Sequence, residues 1–197
     1  MTIGIPRSLL YYRFQHLWIT FFTQLGCHVV ISDPTSQTML AQGIALSVGE
    51  CCLPAKVYMG HVANLLGRCD FILVPRFETL EKNEEFCVRF WGLPDIVHNT
   101  FPKASILSYN LEGRKKGSQL GGFLSMGKSL GKSYAQAVQA YRMGVREQQR
   151  QDRMEQEKQI ARLAAPDPKV LLAAQPYMIH DSLMGAPLVR MIREQGG

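Results

Sequence analysis

Apolar positions along the chain follow two rhythms, short continuous runs and helical stripes, and the two alternate. Met1–Ile5 is a short β-branched run stopped by Pro6 and reads as a strand. Ser8–Leu25 carries Leu9, Tyr12, Leu17, Phe21 and Phe22 near helical spacing and is closed by Gly26. Cys27–Ile31 is a second strand, followed by the turn Asp33-Pro34-Thr35. A short helix is predicted over 36–46, a loop over 47–52, and a clear helix over Leu53–Leu66. Pro54 suits that helix's first turn, and Val57, Tyr58, Val62, Leu65 and Leu66 form its stripe. Asp70–Val74 is unbroken apolar after its first residue, as expected of a strand buried on both faces. Pro75-Arg76 ends it; a short helix over 83–91 and a fourth strand over 104–109 follow. Residues 111–133, rich in Gly, Ser and Lys, read as loop. Tyr134–Ala165 reads as one long helix, amphipathic at first and almost wholly polar over 146–158. After the break Pro166-Asp167-Pro168, a fifth strand is expected over 169–174 and a last helix over 182–194.

Strands alternating with helices predict an α/β fold: a Rossmann-like open parallel sheet with flanking helices, plus the first β-α unit of a second similar domain. The expected division is a Rossmann-like domain over 1–133, a linking helix over 134–168, and the truncated start of a second α/β unit over 169–197. Ligands of such sheets gather beyond the carboxyl ends of the strands. Four segments should converge there: Pro6-Arg7, Glu50-Cys51-Cys52, residues 75–87, and Gln175–Asp181.

Composition narrows the picture. The 197 residues are 46% hydrophobic and 19% charged, which excludes a disordered chain. A net charge of +6 permits an anionic ligand and gives no indication of nucleic acid. The most apolar stretch, 17–31, is interrupted by polar residues and too short to span a membrane. With no signal-peptide pattern visible, the expectation is a cytoplasmic protein. In that compartment the five cysteines, Cys27, Cys51, Cys52, Cys69 and Cys87, are buried thiols, metal ligands or redox groups and not disulfides. Cys27 and Cys69 flank strands and read as packing residues, and His16, His28 and His98 as surface or packing residues. Cys52 opens a helix, where free amides favour a thiolate. Cys52 and Cys87 form no Cys-x-x-Cys pair, so spacing leaves packing and metal binding both open.

One motif competes for attention. Gly122-Phe-Leu-Ser-Met-Gly127-Lys128-Ser129 matches the phosphate-loop pattern letter for letter, but no apolar strand precedes it.

The linked runs Ile3-Gly-Ile-Pro-Arg7, Gly49-Glu-Cys-Cys-Leu-Pro-Ala-Lys56 with Gly60-His61-Val62, and Cys87-Val-Arg-Phe-Trp-Gly-Leu-Pro-Asp95 resemble the 2-hydroxyacyl-CoA dehydratase superfamily. The similarity is to its CoA-enzyme activase-related branch, a domain of unknown function, and Pro176–Asp181 is similar to that branch's second-domain opening. Val88 and Arg89 stand where the family usually has Pro and Lys. The resemblance implies paired Rossmann-like domains holding a [4Fe-4S] cluster on thiolates, with Cys52 and Cys87 as metal ligands and Cys51 a spare neighbour. Glu50, Lys56 and His61 lie in the matched motif and are its candidate cofactor-binding residues. No cysteine follows Cys87, so the implied ligand set is incomplete in this chain, and an air-handled sample is expected to be empty of iron. The implied function is an iron–sulfur component related to 2-hydroxyacyl-CoA dehydratases and their ATP-dependent activases, in electron transfer or cluster handling, with ATP bound only by a partner. An activase or dehydratase subunit, or fused domains of the same kind, would be the partner, and an acyl-CoA a candidate ligand. The alternatives are a non-catalytic module that docks to such a subunit after losing the cluster, and a P-loop nucleotide binder.

Overall fold

The computed structural model describes residues 1–80, 84–115, 117–166 and 168–194. Six strands are found among them: β1 (Thr2–Ile5), β2 (His28–Ile31), β3 (Phe71–Leu73), β4 (Arg76–Thr79), β5 (Ile106–Leu107) and β6 (Asn110–Glu112). The helices are α1 (Tyr11–Gln24), α2 (Gln37–Ala45), α3 (Leu53–Leu65), α4 (Val88–Trp91), α5 (Leu93–Thr100), α6 (Ser118–Ser129), α7 (Tyr134–Ala164), α8 (Pro176–His180) and α9 (Ala186–Glu194).

The main sheet has the order β2-β1-β3-β5 and every pairing is parallel, as in a Rossmann-like open sheet. β1 is central, with Gly4 opposite Val30 on one side and Ile72 on the other. β4 and β6 form a second parallel pair. They continue the β3–β5 ladder, since Val74 N–H donates to Leu107 and Arg76 N–H to Tyr109. Pro75 stands between those two donors, at a position that would not donate to this ladder, so its missing N–H costs the ladder no bond. The sequence therefore signalled an end to the strand at Pro75 where the chain in fact carries on as β4.

The core runs from Ile3 and Ile5 of β1 through Phe21 and Phe22 of α1 to Phe123 of α6. Phe123 packs edge-on against Phe21 at 4.7 Å and tilted against Tyr109 at 4.9 Å. Burial of Phe123, Met126 and Gly127 explains why residues 118–129 are helical despite their Gly, Ser and Lys content. The loop expected over 111–133 is therefore corrected to β6 and α6. The phosphate-loop octapeptide Gly122–Ser129 lies inside that single helix, its amides committed to the helical ladder. Ser129 Oγ donates to the Ser125 carbonyl, and a Cβ on Gly122 would sit 2.7 Å from Tyr109 Cβ. Neither a phosphate cradle nor the P-loop reading survives this geometry.

Between β4 and β5 only Val88–Trp91 of the predicted 83–91 helix forms; its first residue, Asn83, lies outside the described residues. α5 begins immediately after it, with Pro94 in the first turn rather than as a stop. No strand forms over 169–174, where Val170 and Leu171 are 56% and 90% exposed and find no neighbouring strand edge. Instead α8 returns to the first body: His180 stacks near Tyr12 at 6.0 Å and Tyr177 near Phe90 at 6.4 Å. Among the described residues no helix is long and apolar enough to cross a membrane.

Candidate functional site

Two cysteines open helices at the carboxyl edge of the sheet. Cys52 is the N-cap of α3; its extended backbone turns the chain into the helix, and its carbonyl accepts from Ala55 and Lys56 N–H at 3.1 and 3.2 Å. Cys87 is the N-cap of α4, its carbonyl accepting from Phe90 N–H at 3.0 Å. Both thiols are exposed, whereas Cys51 is half-buried. In both caps the backbone makes the capping bonds and the side chain makes none, which leaves the sulfurs free.

Tyr177 of α8 ties the two together. Burial is the main cause that raises its phenol pKa, and negative charge on Cys87 and then Cys52 raises it further. The same phenol thus lies within electrostatic range of both thiols. The other two thiols behave as packing groups. Cys27 is buried, and Cys69 Sγ donates to the Leu65 carbonyl at 3.4 Å; burial raises both pKa values.

The remaining motif residues separate. Glu50 is exposed in the turn before α3, and Lys56 Nζ donates to the Gly49 carbonyl at 2.9 Å, bracing that turn. His61 is fully buried one face away, in a directional chain of hydrogen bonds. Arg7 N–H donates to Ser32 Oγ at 2.7 Å, and Ser32 Oγ lies 2.8 Å from His61 Nδ1. His61 Nε2 lies 2.9 Å from Thr35 Oγ1, which donates to Asp181 Oδ2. Because Thr35 spends its single proton on Asp181, His61 must be the donor from Nε2 and the acceptor at Nδ1. Asp181 Oδ1 accepts from Leu183 and Met184 N–H at 2.8 and 3.0 Å. Burial lowers the His61 pKa to about 4, against the opposing pull of Asp181. Both ring nitrogens are occupied, so His61 offers no atom to a cofactor; its place is to hold the chain from Asp181 onward against β2 and α3.

The chemistry of the donor set bears on the implied cluster. Cys52 and Cys87 are two accessible thiols of the right type for iron. No group of three or more His, Cys, Asp or Glu that could hold a metal ion occurs among the described residues, so Cys52 and Cys87 would supply at most two thiolates of a four-thiolate set.

Sequence reasoning missed Tyr177, Ser32 and Thr35 as individual residues. The run Pro176–Asp181 signalled the first; nothing in the apolar pattern marks Ser32 and Thr35, because their role depends on His61 arriving from another helix.

No characterised protein and no solved structure matched the chain. The sequence profile of one family, described as the CoA enzyme activase uncharacterised domain, matches residues 2–197, so the chain belongs to that family.

Proposed function

We propose that this chain contributes two thiolate ligands, Cys52 and Cys87, to an iron–sulfur cluster in a CoA-enzyme activase or dehydratase system, for electron transfer or cluster handling. The remaining ligands come from a partner subunit or a fused domain of the same kind. A bound cluster would supply one-electron chemistry. The chain's own residues bind: Cys52 and Cys87 hold iron after losing their protons, with Tyr177 within electrostatic range of both. The observation that carries this reading is that both thiols are exposed at helix N-caps, where neither side chain is spent on a capping bond.

Anaerobic incubation of the chain with ferrous iron and sulfide tests it, read by bound iron and by the visible charge-transfer absorbance. The expected result is uptake by the native chain, loss in Cys52→Ala and in Cys87→Ala, and retention in Cys69→Ala. Equal uptake by the Cys52→Ala/Cys87→Ala double variant would remove these residues from the site. A second reading, a docking module without a cluster, rests on the lack, among the described residues, of any group of three or more His, Cys, Asp or Glu that could hold a metal ion. It predicts no iron uptake, and undiminished binding of an activase or dehydratase subunit by the double variant.

A further inference from the structure

We propose that the groove beside Arg7 is a binding site for the oxyanion group, phosphate or carboxylate, of a small polar ligand. This site is separate from the cysteine pair and does not depend on it. Arg7 follows Pro6 at the carboxyl end of β1, the strand from which the chain first crosses to β2 on one side and then to β3 on the other. In open α/β sheets that switch point is where ligands bind. The arginine backbone is pinned, its N–H donating to Ser32 Oγ at 2.7 Å and its carbonyl accepting from Tyr12 Oη at 3.4 Å. Its guanidinium makes no hydrogen bond or ion pair with any described residue, and Nε is sealed from solvent. Arg7 Nε and Ser8 Oγ are the only buried side-chain polar atoms left without a partner among the described residues, and they are neighbours in sequence. The next residue, Leu9, sits at φ 51°, a left-handed conformation that costs a branched side chain and recurs at functional turns.

The groove has a volume of about 460 Å³ and is bordered by Arg7, Tyr12, His16 and His180, with α7 as its far wall. The acids on that wall are already engaged. Asp152 accepts from Gln148 Nε2 at 2.8 Å, and Glu155 pairs with Lys158 and Arg162, each at 3.8 Å. Arg7 forms no ion pair with any described residue, and its charge acts at longer range on Asp33. A guanidinium presents a planar fork that fits two oxygens of a phosphate or carboxylate.

Phenylglyoxal labelling of the native chain, located by peptide mass spectrometry, tests the proposal without a variant. Inorganic phosphate and succinate are added separately, with chloride at equal ionic strength as the control. At least one anion should slow labelling of Arg7 several-fold and leave the exposed Arg13 unchanged; the protecting anion identifies the ligand class. A parallel titration read by thermal unfolding should show a saturable rise in Tm that weakens about tenfold in Arg7→Gln and persists in Arg13→Gln. Equal labelling of Arg7 with and without both anions, or equal binding by Arg7→Gln, overturns the proposal.

Discussion

His61 illustrates how a single residue sets a property of the fold. Its pKa falls from 6.5 to about 4 because burial penalises the imidazolium. The unfolded chain therefore binds a proton that the native chain refuses between those two values. Stability is complete above pH 6.5 and declines as pH falls toward 4, by up to about 3 kcal/mol. Urea denaturation at a series of pH values checks this, and His61→Gln should flatten that part of the profile even though it lowers stability at neutral pH. An identical slope in the variant would mean that other groups carry the effect. The cysteines make the complementary point. Residue type alone leaves Cys52 equivalent to Cys27, and only exposure separates a ligand candidate from a packing thiol.

At the scale of elements, the α2–α3 pair depends on two glycines. A Cβ on Gly43 would lie 1.9 Å from the Lys56 carbonyl oxygen, and one on Gly60 2.2 Å from the Met39 carbonyl oxygen. The obstacle in each case is backbone, which cannot rotate aside, so the two helices would have to separate. Gly60→Ala is expected to cost about 1–3 kcal/mol in urea unfolding. A loss near zero would show that the helices slide without cost. This pair also matters to the cysteine rim, because α3 begins at Cys52 and a displaced α3 moves that sulfur. α7 is governed differently. Ser133 and Gln136 form a reciprocal capping box at its start, so Ser133→Ala should lower stability by about 1 kcal/mol. Its buried residues, Ala137, Ala140 and Gly144, all fall in its first half. Amides of 153–164 should accordingly exchange with deuterium at least about tenfold faster than those of 134–145.

At the scale of the whole molecule, residues 176–194 are held to the first body by a few polar contacts and by Tyr177 and His180 against Phe90 and Tyr12. Ser182 Oγ donates to the Thr35 carbonyl at 2.8 Å, and Asp181 joins Thr35 while accepting two amides of its own turn. α9 buries no residue at all. Asp181→Ala should therefore cost roughly 2–3 kcal/mol and open 176–194 to proteolysis before the sheet unfolds. Limited trypsin digestion followed by mass spectrometry reads the order of cleavage; simultaneous loss of the sheet and the C-terminal segment would show that the two form one cooperative unit.

Much of this architecture is written in local pattern. β1, α1, β2, α2, α3 and the first half of α7 follow from apolar periodicity and from Gly and Pro punctuation, since each satisfies its own backbone hydrogen bonds or buries one continuous stripe. The linked cysteine motifs likewise fix the family. What the chain could not reveal locally is decided by contacts between distant segments. α6 is helical because Phe123 and Met126 find an aromatic core, β4 persists past Pro75 because β6 lies alongside, and residues 169–174 form no strand because no sheet edge is near. The same holds for function: Tyr177 comes within electrostatic range of Cys52 and Cys87, and His180 borders the groove beside Arg7, only because α8 folds back onto the first body. Sequence determines which side chains can do chemistry; burial and proximity, which are properties of the folded whole, determine which of them are free to do it.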